Sequence, residues 1–261
     1  MSVINKVSSE IMEIIERSLE QIEESLDSRI ILALDSGPRG GGAPCLDSPH
    51  RVQFVYVHRL DWYLQLIPGA DLVELPVSDD FTLTGWDIGR LLKTMKNEDA
   101  EKTSWLRSAV TYRVDTDVLT RLRSFSVRSM RPASDYLREL DLAQKLLGGW
   151  KLGSTTTSAE FIDAMRAILA ARWIADKRGV VPGDFSMLCD GLDEDLCSEI
   201  DVLIDANAAA PKGAPVPPSP RSQVFFLAEL QRLRNVDIEE SEQMELPPFD
   251  HFYAELIRRF G

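Results

Sequence analysis

Between Asp35 and Arg51 the chain places seventeen residues, four of them Gly and three Pro, with Asp35, Arg39, Asp47 and Arg51 as the charged members. Glycines at 37, 40, 41 and 42 let a backbone come close to something, either a phosphate or another piece of chain. The stretch is not a P-loop, because no Gly-Lys-Ser/Thr follows the glycines and no Lys lies in it. A second place where phosphate chemistry could gather is Arg121, Arg123, Arg128 and Arg131, the densest basic cluster in the chain. The competing reading is a solvated helix face paired with acidic neighbours, and the overall charge favours it. Three cysteines, Cys45, Cys189 and Cys197, have neither the spacing of a zinc site nor that of a disulfide framework, which leaves thiols in a reducing compartment.

What must hold the glycine loop is legible on either side of it. Ile30–Leu34 and Val52–Val57 are branched and aromatic runs that fit a pleated surface, so the economical reading is strand, tight loop, strand. The sequence from Asp35 to Tyr56, DSGPRGGGAPCLDSPHRVQFVY, resembles a bacterial nucleotidyltransferase family encoded beside RNA ligases in some genomes, a branch of the polymerase-beta-like superfamily. Its usual form, E-S-G-S-R-A-W-G-F-P-S-P-D-S-D-Y-D-V-R-F-I-Y, aligns without a gap. The likeness continues through Leu60–Leu64, Asp71–Pro76 and Leu83–Ile88, returns at Ala164–Ile174, and covers most of residues 30–203.

The resemblance implies an α+β fold: a polymerase-beta-like nucleotidyltransferase core, a small mixed sheet with helices, followed by an all-helical domain. It also implies a site in which carboxylates hold two divalent ions, which neutralise a triphosphate and activate the attacking hydroxyl. Here the chain departs from the pattern. The Gly-Ser pair becomes Gly37-Pro38, and the two metal-binding aspartates of S-D-Y-D fall on Pro49 and Arg51. The loop's tryptophan and phenylalanine fall on Gly41 and Ala43. Pro38 removes a hydroxyl and an N–H, and Arg51 puts a permanent positive charge where metal would stand. Of the acidic residues, Asp35, Asp47 and Glu74 remain as a rearranged metal set, with Asp47 and Glu74 as the catalytic pair of an active enzyme. Glu74 is the closest match to a carboxylate on a central strand, ahead of Asp71. Residues that could still meet a nucleotide are Gly37, Arg39, Gly40, Gly42 and Arg166, the last reaching either a phosphate or a buried carboxylate.

Length and composition set outer limits. At 261 residues and 44% apolar the chain can bury one sizeable core or two modest ones. A net charge of −13, from 42 acidic and 29 basic residues, sets aside broad non-specific nucleic-acid binding. No run approaches eighteen apolar residues and no cationic stretch precedes an apolar one at the start, so the expectation is a cytoplasmic protein with no membrane contact. Residues 8–26 read as a helix capped by Ser8 or Ser9, with one apolar stripe and an acidic face of Glu10, Glu13, Glu16, Glu20, Glu23 and Glu24. Helices are further expected over 59–66, 84–95, 98–108, 115–130, 134–147, 158–178, 182–188, 194–203, 222–235 and 249–260, and a strand over 71–77. Trp62, Trp86 and Trp105 read as core side chains.

The domain reading is a nucleotidyltransferase-like domain over 1–130, a helical domain over 131–205, a Pro-rich linker over 206–220 and a C-terminal helical segment over 221–261. The functional expectation is a catalytically inactive member acting through a protein partner, self-association or retained ligand binding, with no cofactor. The C-terminal segment would supply apolar anchors in Phe225, Phe226, Leu230 and Phe249. The alternative is an active enzyme using Mg2+ and a nucleoside triphosphate to transfer a nucleotide to RNA, protein or a small molecule.

Overall fold

The computed structural model describes residues 7–78, 80–97, 102–128, 130–147, 157–215, 219–239 and 248–261. They fall into two units, one of Met1–Gly40, Pro49–Ser129 and Gln243–Gly261, the other of Gly41–Ser48 and Met130–Glu242. The division cuts the glycine loop between Gly40 and Gly41.

The first unit is built on one mixed sheet. Its strands are β1 (Ser28–Asp35), β2 (His50–His58), β3 (Leu72–Ser78), β4 (Phe81–Asp87) and β5 (Thr111–Val114), in the order β3-β4-β2-β1-β5. Strands β2 and β4 run parallel and the other pairs antiparallel. Helix α1 (Ser9–Leu26) covers one face. Ser8 caps it by accepting the Ile11 N–H, and Ile15, Leu19 and Ile22 bury against Ile30, Ala33, Phe54 and Tyr56. Each such side chain contributes about 1.5–3 kcal/mol of burial. The short helix α2 (Leu60–Tyr63) follows β2. On the other face, α3 (Ile88–Lys96), a 3-10 turn (Ser104–Arg107) and α4 (Thr116–Arg128) pack on Leu32, Leu34, Val55 and Val57. Helix α10 (Phe249–Phe260) completes that core with Phe249, Phe252, Leu256 and Ile257.

The second unit is helical: α5 (Pro132–Leu147), α6 (Ser158–Ala175), α7 (Phe185–Leu188), α8 (Glu194–Ala209) and α9 (Pro220–Leu233). Helix α6 is apolar nearly all round and forms the centre, started by a capping box in which Thr157 and Glu160 satisfy each other's backbone N–H groups.

Several expectations change. The helix read over 84–95 is a strand followed by a helix: Phe81–Asp87 pairs with β2, and Asp87 caps α3 by accepting the Gly89 N–H at 2.7 Å. Strand β3 lies at the sheet edge, not its centre. Strand β5 was not foreseen, and of the helix read over 98–108 only the 3-10 turn forms, 98–101 lying outside the described residues. Residues 206–215 are not a free tether. They finish α8, bury Asn207, and accept the Leu46 N–H at the Ala210 carbonyl and the Ser158 N–H at that of Ala214. Residues 221–261 do not act as one segment, since α9 buries Phe226, Leu230 and Leu233 in the helical core while α10 belongs to the sheet unit.

Candidate functional site

The loop's first half is organised by one carboxylate. Asp35 ends β1 with no exposed surface. Its Oδ1 accepts the N–H groups of Gly37 at 2.8 Å and Gly40 at 3.1 Å, and its Oδ2 accepts the Tyr112 hydroxyl at 2.8 Å. Burial first, and the carboxylate second, push the Tyr112 pKa well up, so the phenol remains a donor. Ser36 ties the turn to β2 through its N–H and hydroxyl, both donated to the Arg51 carbonyl. Gly40 admits no side chain, because a Cβ there would stand 2.2 Å from the Asp35 carbonyl oxygen and 2.5 Å from the Ser108 hydroxyl. The N–H groups of Gly37 and Gly40 therefore point at Asp35 and not at a ligand, and Asp35 is a loop organiser whose oxygens are already engaged. Arg39 is half-buried beside this knot; its charge lowers the His50 pKa, after burial, which lowers it most.

The second half of the loop is held within the helical unit. Arg166 of α6 donates to the carbonyls of Gly41 at 3.1 Å, Gly183 at 2.8 Å and, more weakly, Pro182 at 3.4 Å. It thus holds backbone carbonyls, neither a phosphate nor a carboxylate. Burial pushes its pKa down, opposed by the charges of Glu139, Asp163 and Asp184. Gly42 has φ +82°, a backbone only glycine adopts easily, and packs on Asp184 and Phe185. Asn207 donates to the Pro44 carbonyl at 3.0 Å and accepts the Ser158 hydroxyl at 2.6 Å. Asp47 accepts the Lys212 N–H at 2.6 Å and the Cys45 thiol at 3.3 Å, the two interactions that hold its pKa low.

Glu74 is exposed on edge strand β3, opposite Thr84 of β4. Among the described residues, no three His, Cys, Asp or Glu side chains gather as a metal site. Pro49 precedes β2, and Arg51, on it, is exposed and forms no ion pair with a described residue. Two of the four clustered arginines are internal scaffolding. Arg121 grips Glu255 with two hydrogen bonds at 2.7 and 2.9 Å over the Phe252 ring, and Arg123 donates to the carbonyls of Leu106 and Ser108. Trp86 and Trp105 are buried, and the partly buried Trp62 stacks on His58.

A mixed sheet with a glycine turn at the end of β1 that leads through Pro49 into β2 agrees with what the sequence resembles. The model of the RNA repair pathway DNA polymerase beta family matches residues 11–255. The chain belongs to that family. It is 26% identical to the uncharacterized protein YcgL of Bacillus subtilis (strain 168) over 189 residues, 72% of this chain and 73% of that protein. A crystal structure of a nucleotidyltransferase-like protein from Exiguobacterium sibiricum 255-15 is similar over 84% of this chain and 74% of that one, at 13% identity and a TM-score of 0.25. Within this polymerase beta family member, sequence reasoning overlooked Tyr112 and Asn207, whose side chains clamp the loop, and Ser108, which packs against Gly40. No local pattern marks them, since Tyr112 lies 77 residues from Asp35 and Asn207 lies 163 from Pro44.

Proposed function

We propose that this member of the RNA repair pathway DNA polymerase beta family does not transfer nucleotides by the two-metal route and acts as a binding protein on the same fold. The observation that carries this reading is the fate of the carboxylates. Two ligand positions hold Pro49 and Arg51, Asp35 is consumed by the loop, Asp47 is tied to Cys45 and Lys212, and Glu74 stands on an edge strand. Two divalent ions need several oxygens converging at about 2.0–2.6 Å, and Arg51 adds a repelling charge. No resident metal is part of this proposal. The three free thiols suit a reducing, cytoplasmic setting. The test is incubation of the protein with radiolabelled nucleoside triphosphates, Mg2+ or Mn2+, and RNA or protein acceptors. No label transfer is expected; transfer abolished by Asp47→Ala or Glu74→Ala would overturn the reading.

A second reading, association, is favoured by a different surface from the one the sequence suggested. The anchors Phe226, Leu230 and Phe249 are buried within this chain, and Phe225 is partly so. In the segment after α2, by contrast, Leu64, Leu66 and Ile67 are 72%, 98% and 83% exposed. Exposed apolar groups that join into one patch mark contact surfaces. If they seat a second copy, light scattering will show a dimer that Leu66→Asp with Ile67→Asp converts to a monomer; a monomeric wild type removes self-association.

A further inference from the structure

The sheet register assembles a group of hydrogen-bond donors around Arg51. Arg51 of β2 lies opposite Thr82 of β4, and Gln53 lies opposite Thr84. Lateral neighbours in a sheet share a face, with Cβ atoms about 5 Å apart. Further along the same face Val55, Val57 and Trp86 are covered by apolar side chains of α3 and α10, so the hydrophobic cover stops at the Gln53–Thr84 row. Gln53 Oε1 accepts the Trp86 Nε1–H at 2.6 Å, which leaves the amide N–H2 as the end of Gln53 still to be satisfied. Thr82 and Thr84 are partly exposed, and their hydroxyls engage no described side chain. Arg51 is exposed beside Gly37, its Cβ being 3.6 Å from where a Gly37 Cβ would stand.

No described acid forms an ion pair with Arg51. Asp35 already accepts from Gly37, Gly40 and Tyr112. Glu74 lies two strands across and one same-face step along from Arg51, and directly opposite Thr84, so its carboxylate borders that end of the group. At strand spacings of about 4.8 Å and a same-face step of about 6.8 Å, that separation is roughly 12 Å, beyond the Debye length of physiological salt. A permanent cation, an amide N–H2 and two hydroxyls facing one side suit an anion whose several oxygens are all acceptors.

We propose that Arg51, Gln53, Thr82 and Thr84 form a metal-independent phosphate site on the open face of β2 and β4. Arg51 supplies the positive charge that a divalent ion would otherwise bring. This rests on the reading that the two-metal route is lost, and it names the class of ligand: a terminal phosphate, carried by a nucleotide or by the end of an RNA.

Calorimetric titration of the full chain in EDTA tests it. The probes are ATP, a 5′-phosphorylated oligoribonucleotide and its unphosphorylated counterpart. Saturable binding of ATP or of the phosphorylated oligonucleotide is expected, with the unphosphorylated one bound at least about 10-fold more weakly; which phosphorylated probe binds identifies the source. Arg51→Ala should weaken binding about 10–100-fold and Arg51→Lys less, as fits loss of a charge-assisted fork. Thr82→Val with Thr84→Val should weaken it several-fold. Excess Mg2+ should leave affinity unchanged or lower it, since the ion competes with Arg51 for the phosphate. The melting temperature of the Arg51 variants, altered at an exposed position, serves as the folding control. Absence of metal-free binding to both phosphorylated probes, binding that needs Mg2+, or undiminished affinity in Arg51→Ala would overturn the proposal. Those outcomes leave the non-catalytic reading standing, whereas metal-dependent label transfer would refute that reading separately.

Discussion

Replacing Asp35 separates a loop organiser from a metal ligand. Its carboxylate accepts two backbone N–H groups and one phenol with no exposed surface, and all three donors are held by other parts of the sheet unit. Asp35→Ala removes every acceptor and leaves three donors without partners, each costing about 1–3 kcal/mol where water cannot reach. Partial water entry brings the expected total to about 3–5 kcal/mol. Asp35→Asn keeps an oxygen for Gly37 and Gly40, and its amide can donate to the Tyr112 oxygen, so the expected loss is only about 1–2 kcal/mol. Urea unfolding followed by tryptophan fluorescence measures both, and for a chain of this size the Ala variant should melt roughly 8–15 °C lower. Metal ligation requires the opposite ordering. A ligand carboxylate relieved of its charge generally leaves the apo fold as stable or more stable. Full stability of both variants without metal would therefore refute the organiser role.

Three further outcomes follow from the same geometry. Phe252→Ala should cost about 3–5 kcal/mol in denaturant unfolding, because the ring is fully buried against Phe125, centroids 5.2 Å apart, beneath Arg121; a loss under 1 kcal/mol would show that α10 is dispensable to the core. Arg166→Lys should lower stability by about 1–2 kcal/mol without altering phosphate affinity, since one ammonium cannot span the carbonyls of Gly41 and Gly183; unchanged stability with weakened phosphate binding would return Arg166 to a ligand site. His58 is buried, its Nε2 lacks a partner, and burial holds its pKa below the ordinary value despite Asp87. The unfolded chain thus takes the proton first, so stability is complete above about pH 6.5 and falls as pH drops below it. Melting curves from pH 7.5 to 5 should show that decline reduced, not abolished, in His58→Gln, because His50 is shifted the same way; an identical slope would clear His58 of the effect.

The parts of the fold legible in the sequence were those whose side chains report burial directly. Ile30–Leu34 is buried throughout and reads as an uninterrupted apolar run, Val52–Val57 is apolar but for the half-exposed Gln53, and α1 carries a clean stripe with its cap at Ser8. Strand β4 was obscured because Gly85 interrupts its alternation. The Phe54 ring fills the space a side chain there would take, while Trp86, Ile88, Leu91 and Leu92 imitate a longer helix. Strand β5 is four residues at an edge, too short for a period to emerge. The acidic face of α1 is partly engaged by the sheet: Glu16 and Glu23 pair with Arg113 of β5, and Glu23 accepts the Ile30 N–H as well. At the site, the unusual residues Pro38, Pro49 and Arg51 could be found by alignment. What could not be found was the direction in which Asp35 and Arg166 point, because their partners are backbone atoms and distant side chains with no local pattern.

The docking of α10 into the sheet unit has a consequence for synthesis on the ribosome. Arg121 and Glu255 are 134 residues apart, and Phe125 waits for Phe249 and Phe252. The sheet, although translated first, cannot close its lower apolar layer until α10 has left the exit tunnel, by which time the intervening helices have emerged and can already associate. The sheet core is thus begun first and completed last. Until α10 arrives, the nascent sheet exposes the pocket those two phenylalanines will fill, a natural point of attachment for a chaperone and the interval in which the chain is most open to aggregation.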